Sequence, residues 1–138
     1  MKSVLLSLCV AFVLSTGCST PHKSESESLQ GTWIGREAGR NTEGTCSLVV
    51  TGNTIEFKGP AGNEWYKGTF VLHQHPEPKQ VIAQIMECSI PEYVGRSSKA
   101  IYRLEGSELT LTGNEPGNPE VPAGFEAPGS RTFLLRKP

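Results

Sequence analysis

From residue 30 onward, apolar side chains recur at every second position in short runs, and turn residues separate the runs. A period of two is the signature of a strand with one buried face. Residues 45–51 put Cys46, Leu48 and Val50 on one face and Ser47, Val49 and Thr51 on the other. Gly52-Asn53 is a two-residue turn of the kind that favours positive φ. Residues 54–58 follow, with Ile55 and Phe57 opposite Glu56 and Lys58. In the long run 64–73, Tyr66, Phe70 and Leu72 share the parity of Gly68. A glycine in mid-strand predicts a bend or bulge. Runs at 30–37, 79–88, 99–104, 108–112 and 131–137 complete the set, and no segment among them has the helical period. Eight short hairpin-connected strands with no helix to cover a second sheet face predict an all-β fold, an eight-stranded antiparallel up-and-down barrel. An open two-sheet sandwich is the alternative. Eight strands leave an interior just wide enough for packed side chains or one small ligand.

The chain ahead of residue 29 has a different pattern. Met1-Lys2 is a short positive start, Val4 to Leu14 is apolar apart from Ser7, and Ser15-Thr16-Gly17-Cys18 reads as a small-residue cleavage site. Residues 1–17 are thus predicted to be a secretory signal, too short for a membrane-spanning helix. A Cys after small residues resembles the bacterial lipobox, with Ser15 where that motif usually has Leu. The resemblance implies a lipidated N-terminus at Cys18 bearing diacylglyceryl and acyl chains, an anchor of near-irreversible strength. An ordinary secretory signal is the other reading. Ser19 in place of Asp points to the outer membrane under the lipoprotein sorting rule of enteric bacteria. Residues 18–28, with no apolar side chain beyond Cys18 except Pro21, are expected to form a flexible tether. The barrel domain is then 29–138.

Charge excludes more than it suggests. Of 13 basic residues one leaves with the signal, so 12 face 14 acidic groups, all of them Glu. No basic cluster exists, and nucleic-acid binding has no electrostatic footprint. Of four Cys, Cys9 lies in the signal and Cys18 at its end. Cys46 and Cys88, in an oxidising envelope, are expected to form one disulfide closing a loop of about 40 residues; two separately buried thiols are the alternative.

Gly31-Thr32-Trp33 in the first strand, with Arg131 opening the last, resembles the lipocalin signature. The resemblance implies that Trp33 closes the barrel floor, that Arg131 stacks across its indole, and that Gly31 allows close backbone approach. Leu29-Gln30-Gly31-Thr32-Trp33, Gly68-Thr69-Phe70, Ala100-Ile101-Tyr102-Arg103-Leu104-Glu105-Gly106 and Leu109-Thr110-Leu111 resemble uncharacterised lipocalin-like bacterial domains known from planctomycetes. That family implies a fold and an envelope location but no activity.

Catalytic chemistry finds little footing. There is no Ser-centred elbow, no phosphate-binding glycine loop and no paired Asp. His73 and His75, at i and i+2, have metal-ligand spacing, with Glu77 or Glu87 as a third ligand, but Pro76 ends the strand just after them, so an exposed hairpin end is expected and no metal or cofactor is assigned. Tyr66, Phe70, Met86 and Tyr102 are the expected lining of a cavity for an apolar ligand; the alternative is that they fill the barrel. Tyr93 and Phe125, on loops, are expected to cover the mouth or meet another protein. The expected function is therefore non-enzymatic: a membrane-anchored envelope protein that binds a small apolar ligand or another envelope component, or an interaction module with a filled barrel.

Overall fold

The computed structural model describes residues 17–39 and 43–138, so all but the last residue of the expected signal lies outside the described chain. Eight strands follow one short helix: α1 (Glu25–Leu29), β1 (Gly31–Glu37), β2 (Cys46–Thr51), β3 (Thr54–Lys58), β4 (Trp65–His73), β5 (Lys79–Cys88), β6 (Ser97–Glu105), β7 (Glu108–Gly113) and β8 (Arg131–Arg136). A single 3₁₀ turn, Pro91–Tyr93, interrupts the β5–β6 loop. Each strand pairs antiparallel with the next, and β1 pairs with β8 to close the barrel. The expected up-and-down topology is the observed one, and strand limits match within about two residues.

Up-and-down order fixes two ends. The β2–β3, β4–β5 and β6–β7 turns gather with the start of β1 at one end, the floor. The other four connections surround the opposite end, the mouth. Alternation sends Trp33, Leu48, Val50, Phe57, Phe70, Ala83, Leu109, Phe133 and Leu135 into one buried cluster. Gly68 sits at a β-bulge, where the β4–β5 register shifts between Lys67 and Gly68. A Cβ on Gly68 would lie 2.0 Å from the Gln84 carbonyl oxygen, so only glycine fits there.

The floor departs from expectation in three ways. The segment 18–28 is not a tether throughout: Ser24 caps α1 through a reciprocal capping box with Glu27. The helix then carries Leu29 into the core at 6% exposure. Trp33 is fully buried and its indole Nε1 donates to the Leu29 carbonyl at 2.8 Å, so it does close the floor. Its cationic neighbour is Lys137, with Nζ 5.0 Å from the ring centroid, and not Arg131. The β1–β8 register explains this: Ile34 faces Arg136 and Glu37 faces Phe133, so Trp33 lies beside the end of β8 while Arg131 begins it at the mouth. Finally, the close approach belongs to Gly35, where a Cβ would fall 1.8 Å from the Leu134 carbonyl oxygen. Gly31 has open space around it and supplies a φ of 109° instead.

Cys46 and Cys88 are both free thiols, which corrects the expected disulfide. They lie on β2 and β5, with β3 and β4 between them. Cys46 is fully buried, and burial pushes its thiol upward from the ordinary pKa. The Cys88 thiol donates to the Ile90 carbonyl at 2.8 Å.

Candidate functional site

The barrel holds a cavity of about 510 Å³. That volume falls within the roughly 300–1,000 Å³ of small-molecule sites. Its walls are the inward faces of the strands: Leu48 and Val50 of β2, Ile55 and Phe57 of β3, Phe70 and Leu72 of β4, with Leu29 of α1 contributing from the floor. Ile90, Tyr93, Asn114, Glu115 and Pro116, all from loops at the mouth, complete the lining. Small side chains make the space. Ala83, Ala100 and Gly113 stand at inward positions on β5, β6 and β7, where larger residues would fill it.

Of the four side chains expected to line a cavity, Tyr66, Phe70 and Tyr102 do. Met86 does not; it is 58% exposed on the outer wall. The inward positions of β5 are Val81, Ala83 and Ile85. Met86 falls at the bulge, where pairing passes from Gly68↔Ile85 to Lys67↔Glu87 and leaves it without a partner on β4. Tyr93 reaches the mouth as expected, whereas the Phe125 ring packs 4.5 Å from the Arg103 guanidinium.

The mouth carries the polar part of the site. Glu37 ends β1 on its inward face with a side chain only 1% exposed. Arg131 answers it in a bidentate pair, Nε to Oε1 at 2.9 Å and NH2 to Oε2 at 3.0 Å. The same guanidinium donates from NH1 and NH2 to Glu64. These bonds, those to Glu37 foremost, raise the Arg131 pKa further and fix its charge. The Tyr66 hydroxyl donates to Glu64 Oε1 at 3.1 Å. Burial, then the Glu64 charge, pushes the Tyr66 phenol well above its usual range. The Tyr66 ring stacks on Tyr93 at 6.4 Å between centroids and 26° between planes. Tyr93 in turn donates to Glu115, and that bond raises its own phenol pKa.

At the floor end Tyr102 is 2% exposed and its hydroxyl has no hydrogen-bond partner. Burial, with the charge of Glu25 added, raises its phenol well above the usual range, but the Glu25 carboxylate falls short of hydrogen-bond geometry. Lys79 holds that carboxylate instead, at 2.8 and 2.9 Å.

No protein family, curated protein or solved structure matches this chain.

His73 and His75 line a shallow depression at the β4–β5 turn with Gln74 and Pro76. Among the described residues no group of three His, Cys, Asp or Glu side chains is placed to hold a metal ion. Glu37, Glu64 and Glu115 are site residues that sequence reasoning passed over. Glu37 shares the parity of Trp33 on β1, and Arg131 shares that of Phe133 and Leu135 on β8. Two opposite charges on inward positions of strands that must close the barrel were a signal available in the pattern.

Proposed function

We propose that this protein is a lipid-anchored cell-envelope protein that takes up a small apolar molecule in its barrel. The observation that carries the reading is the cavity of about 510 Å³, walled by aliphatic and aromatic side chains and stopped at one end by Leu29 and Trp33. Burying apolar surface in such a space is favourable at about 25 cal/mol per Å² removed from water. The Gly-x-Trp at the floor and the up-and-down barrel fit the lipocalin resemblance read from the sequence. Nothing in the site resembles a nucleophile with its base, so binding rather than turnover is the proposed activity. The anchor rests on Cys18, which is exposed and precedes α1 by a short segment. No described helix is long and apolar enough to cross a membrane.

One preparation tests both parts. The protein purified from its host membranes and examined by native mass spectrometry should carry a retained small molecule. Ala83→Trp, which fills the cavity from β5, should lose that molecule while keeping its circular dichroism spectrum. Cys18→Ser should move the protein into the soluble fraction. A uniformly ligand-free barrel would favour an interaction module without a small ligand, and unchanged membrane retention of Cys18→Ser would remove the lipid anchor.

A further inference from the structure

The chain that runs back toward Cys18 leaves the barrel at the floor, and α1 fixes where. A helix of five residues does not hold its shape alone. Its contacts hold it, and all of them are at the floor. The Glu25 carboxylate accepts from Lys79 at the start of β5 at 2.8 and 2.9 Å, and the Ser28 carbonyl accepts from Lys137 at 3.0 Å. The Gln30 side chain exchanges two hydrogen bonds with the backbone of Gly52 in the β2–β3 turn. Leu29 adds the buried apolar contact. The segment ahead of Ser24 therefore starts from one fixed point on the floor rim.

Its length limits what it can reach. Residues 18–24 are seven in number. Fully extended they span at most about 25 Å, and as a relaxed chain about 15 Å. The longest strand, β5, has ten residues, and at the usual rise and tilt it gives the barrel a height of about 25 Å. Bringing the mouth to a bilayer that holds Cys18 would take the whole segment laid straight along the outer wall. The relaxed chain reaches the floor and no further. The cavity, however, opens at the other end, among Ile90, Tyr93, Asn114, Glu115 and Pro116.

We infer that α1 and the seven residues before it orient the anchored barrel, with its floor against the membrane and its mouth toward the aqueous compartment, where a soluble protein and not the anchoring bilayer meets the cavity. The inference rests on the lipid anchor and the barrel binding proposed above, and adds the end through which the bound molecule passes.

Energy transfer to the bilayer tests the orientation. The protein purified from its host membranes is placed on vesicles that carry an acceptor dye on their headgroups. A donor dye is attached at His75→Cys, in the β4–β5 turn close to Lys79, or at Glu92→Cys, on the rim of the mouth; both positions are exposed. Each is made together with Cys88→Ala, so that the half-buried native thiol takes no dye. A separation of one barrel height, about 25 Å, should make transfer from His75→Cys at least about twofold stronger than from Glu92→Cys. A flexible Gly/Ser insert ahead of Ser24 should shrink that ratio toward one. A protein-sized maleimide should react with Glu92→Cys as fast on vesicles as in detergent, and more slowly with His75→Cys on vesicles. Equal transfer from the two ends, stronger transfer from the mouth, or a maleimide reaction slowed at Glu92→Cys would overturn the orientation and leave the anchor and the cavity standing. A ratio unchanged by the insert would overturn the short segment as its cause. Failure of the protein to stay on the vesicles would overturn the anchor itself, and the orientation with it.

Discussion

The two ends of this barrel are closed by different physics. At the floor, a backbone segment does the work: α1 lays Leu29 across the opening and Trp33 packs beneath it with its one polar atom satisfied by a carbonyl. At the mouth, loop side chains such as Ile90, Tyr93 and Pro116 line the opening. Charged side chains hold the strands there, with Arg131 on β8 tied to Glu37 on β1 and to Glu64 beside β4. The floor is apolar and packed, so it contributes stability. The mouth is polar and partly wet, so its ion pairs offset their own desolvation and contribute little beyond that. What the mouth gains is access.

That contrast can be broken most directly at Trp33. Trp33→Ala should cost about 3–5 kcal/mol of unfolding free energy, the usual range for a fully buried Trp, measured by urea denaturation. An unchanged midpoint would mean that the floor is not the stabilising end. At the mouth, Arg131→Met should cost about 3 kcal/mol, because it takes the guanidinium away from a Glu37 side chain that is 1% exposed. The double change Arg131→Met with Glu37→Leu should recover most of that loss in the same assay. A double variant as unstable as the single would make the ion pair a true source of stability and erase the difference between the ends.

The smallest effect distinguishes the two phenols that line the cavity, Tyr66 half-buried and Tyr102 buried. Tyr66 and Tyr102 both have pKa values raised above the ordinary 10.0. The folded state therefore keeps a proton that the unfolded chain releases, so stability is complete below pH 10 and falls as pH rises past it. Either Tyr→Phe change should flatten that fall. At pH 7 they should separate. Tyr102→Phe removes a buried hydroxyl with no partner and should leave Tm unchanged or slightly higher. Tyr66→Phe removes a bond to Glu64 and should lower stability by about 1 kcal/mol. Thermal scans across pH 7–11 decide both.

The strands were legible because one face of each is buried, and burial writes itself as alternation. The β2–β3 turn at Gly52 and the bulge at Gly68 were legible because each needs a residue without a side chain. What failed was whatever depends on register. Trp33 and Arg131 sit at the starts of strands that run antiparallel, which sends them to opposite ends once the ladder is counted. Met86, by contrast, was misplaced although it shares the parity of Gln80 and Gln84, opposite to Val81, Ala83 and Ile85, so alternation along β5 already sends it outward. The helix α1 hid in a polar stretch whose composition reads as disorder, although Ser24 and Glu27 spell a capping box ahead of Leu29. The cavity itself depends on volume: Ala83, Ala100 and Gly113 read as unremarkable small residues until their shared inward position is known.

The seam between β1 and β8 has a consequence for how the molecule comes into being. Its paired residues, Ile34 with Arg136 through Glu37 with Phe133, lie roughly a hundred positions apart along the chain. Every other ladder can zip from a nearby hairpin. This one can form only after the last strand has left the ribosome, and until then β1 has an unpaired edge. Contacts so distant in sequence are the slow step of β-rich folding. The nascent chain thus spends its longest wait as an open sheet, with Gly35 waiting for the Leu134 carbonyl that alone fits against it.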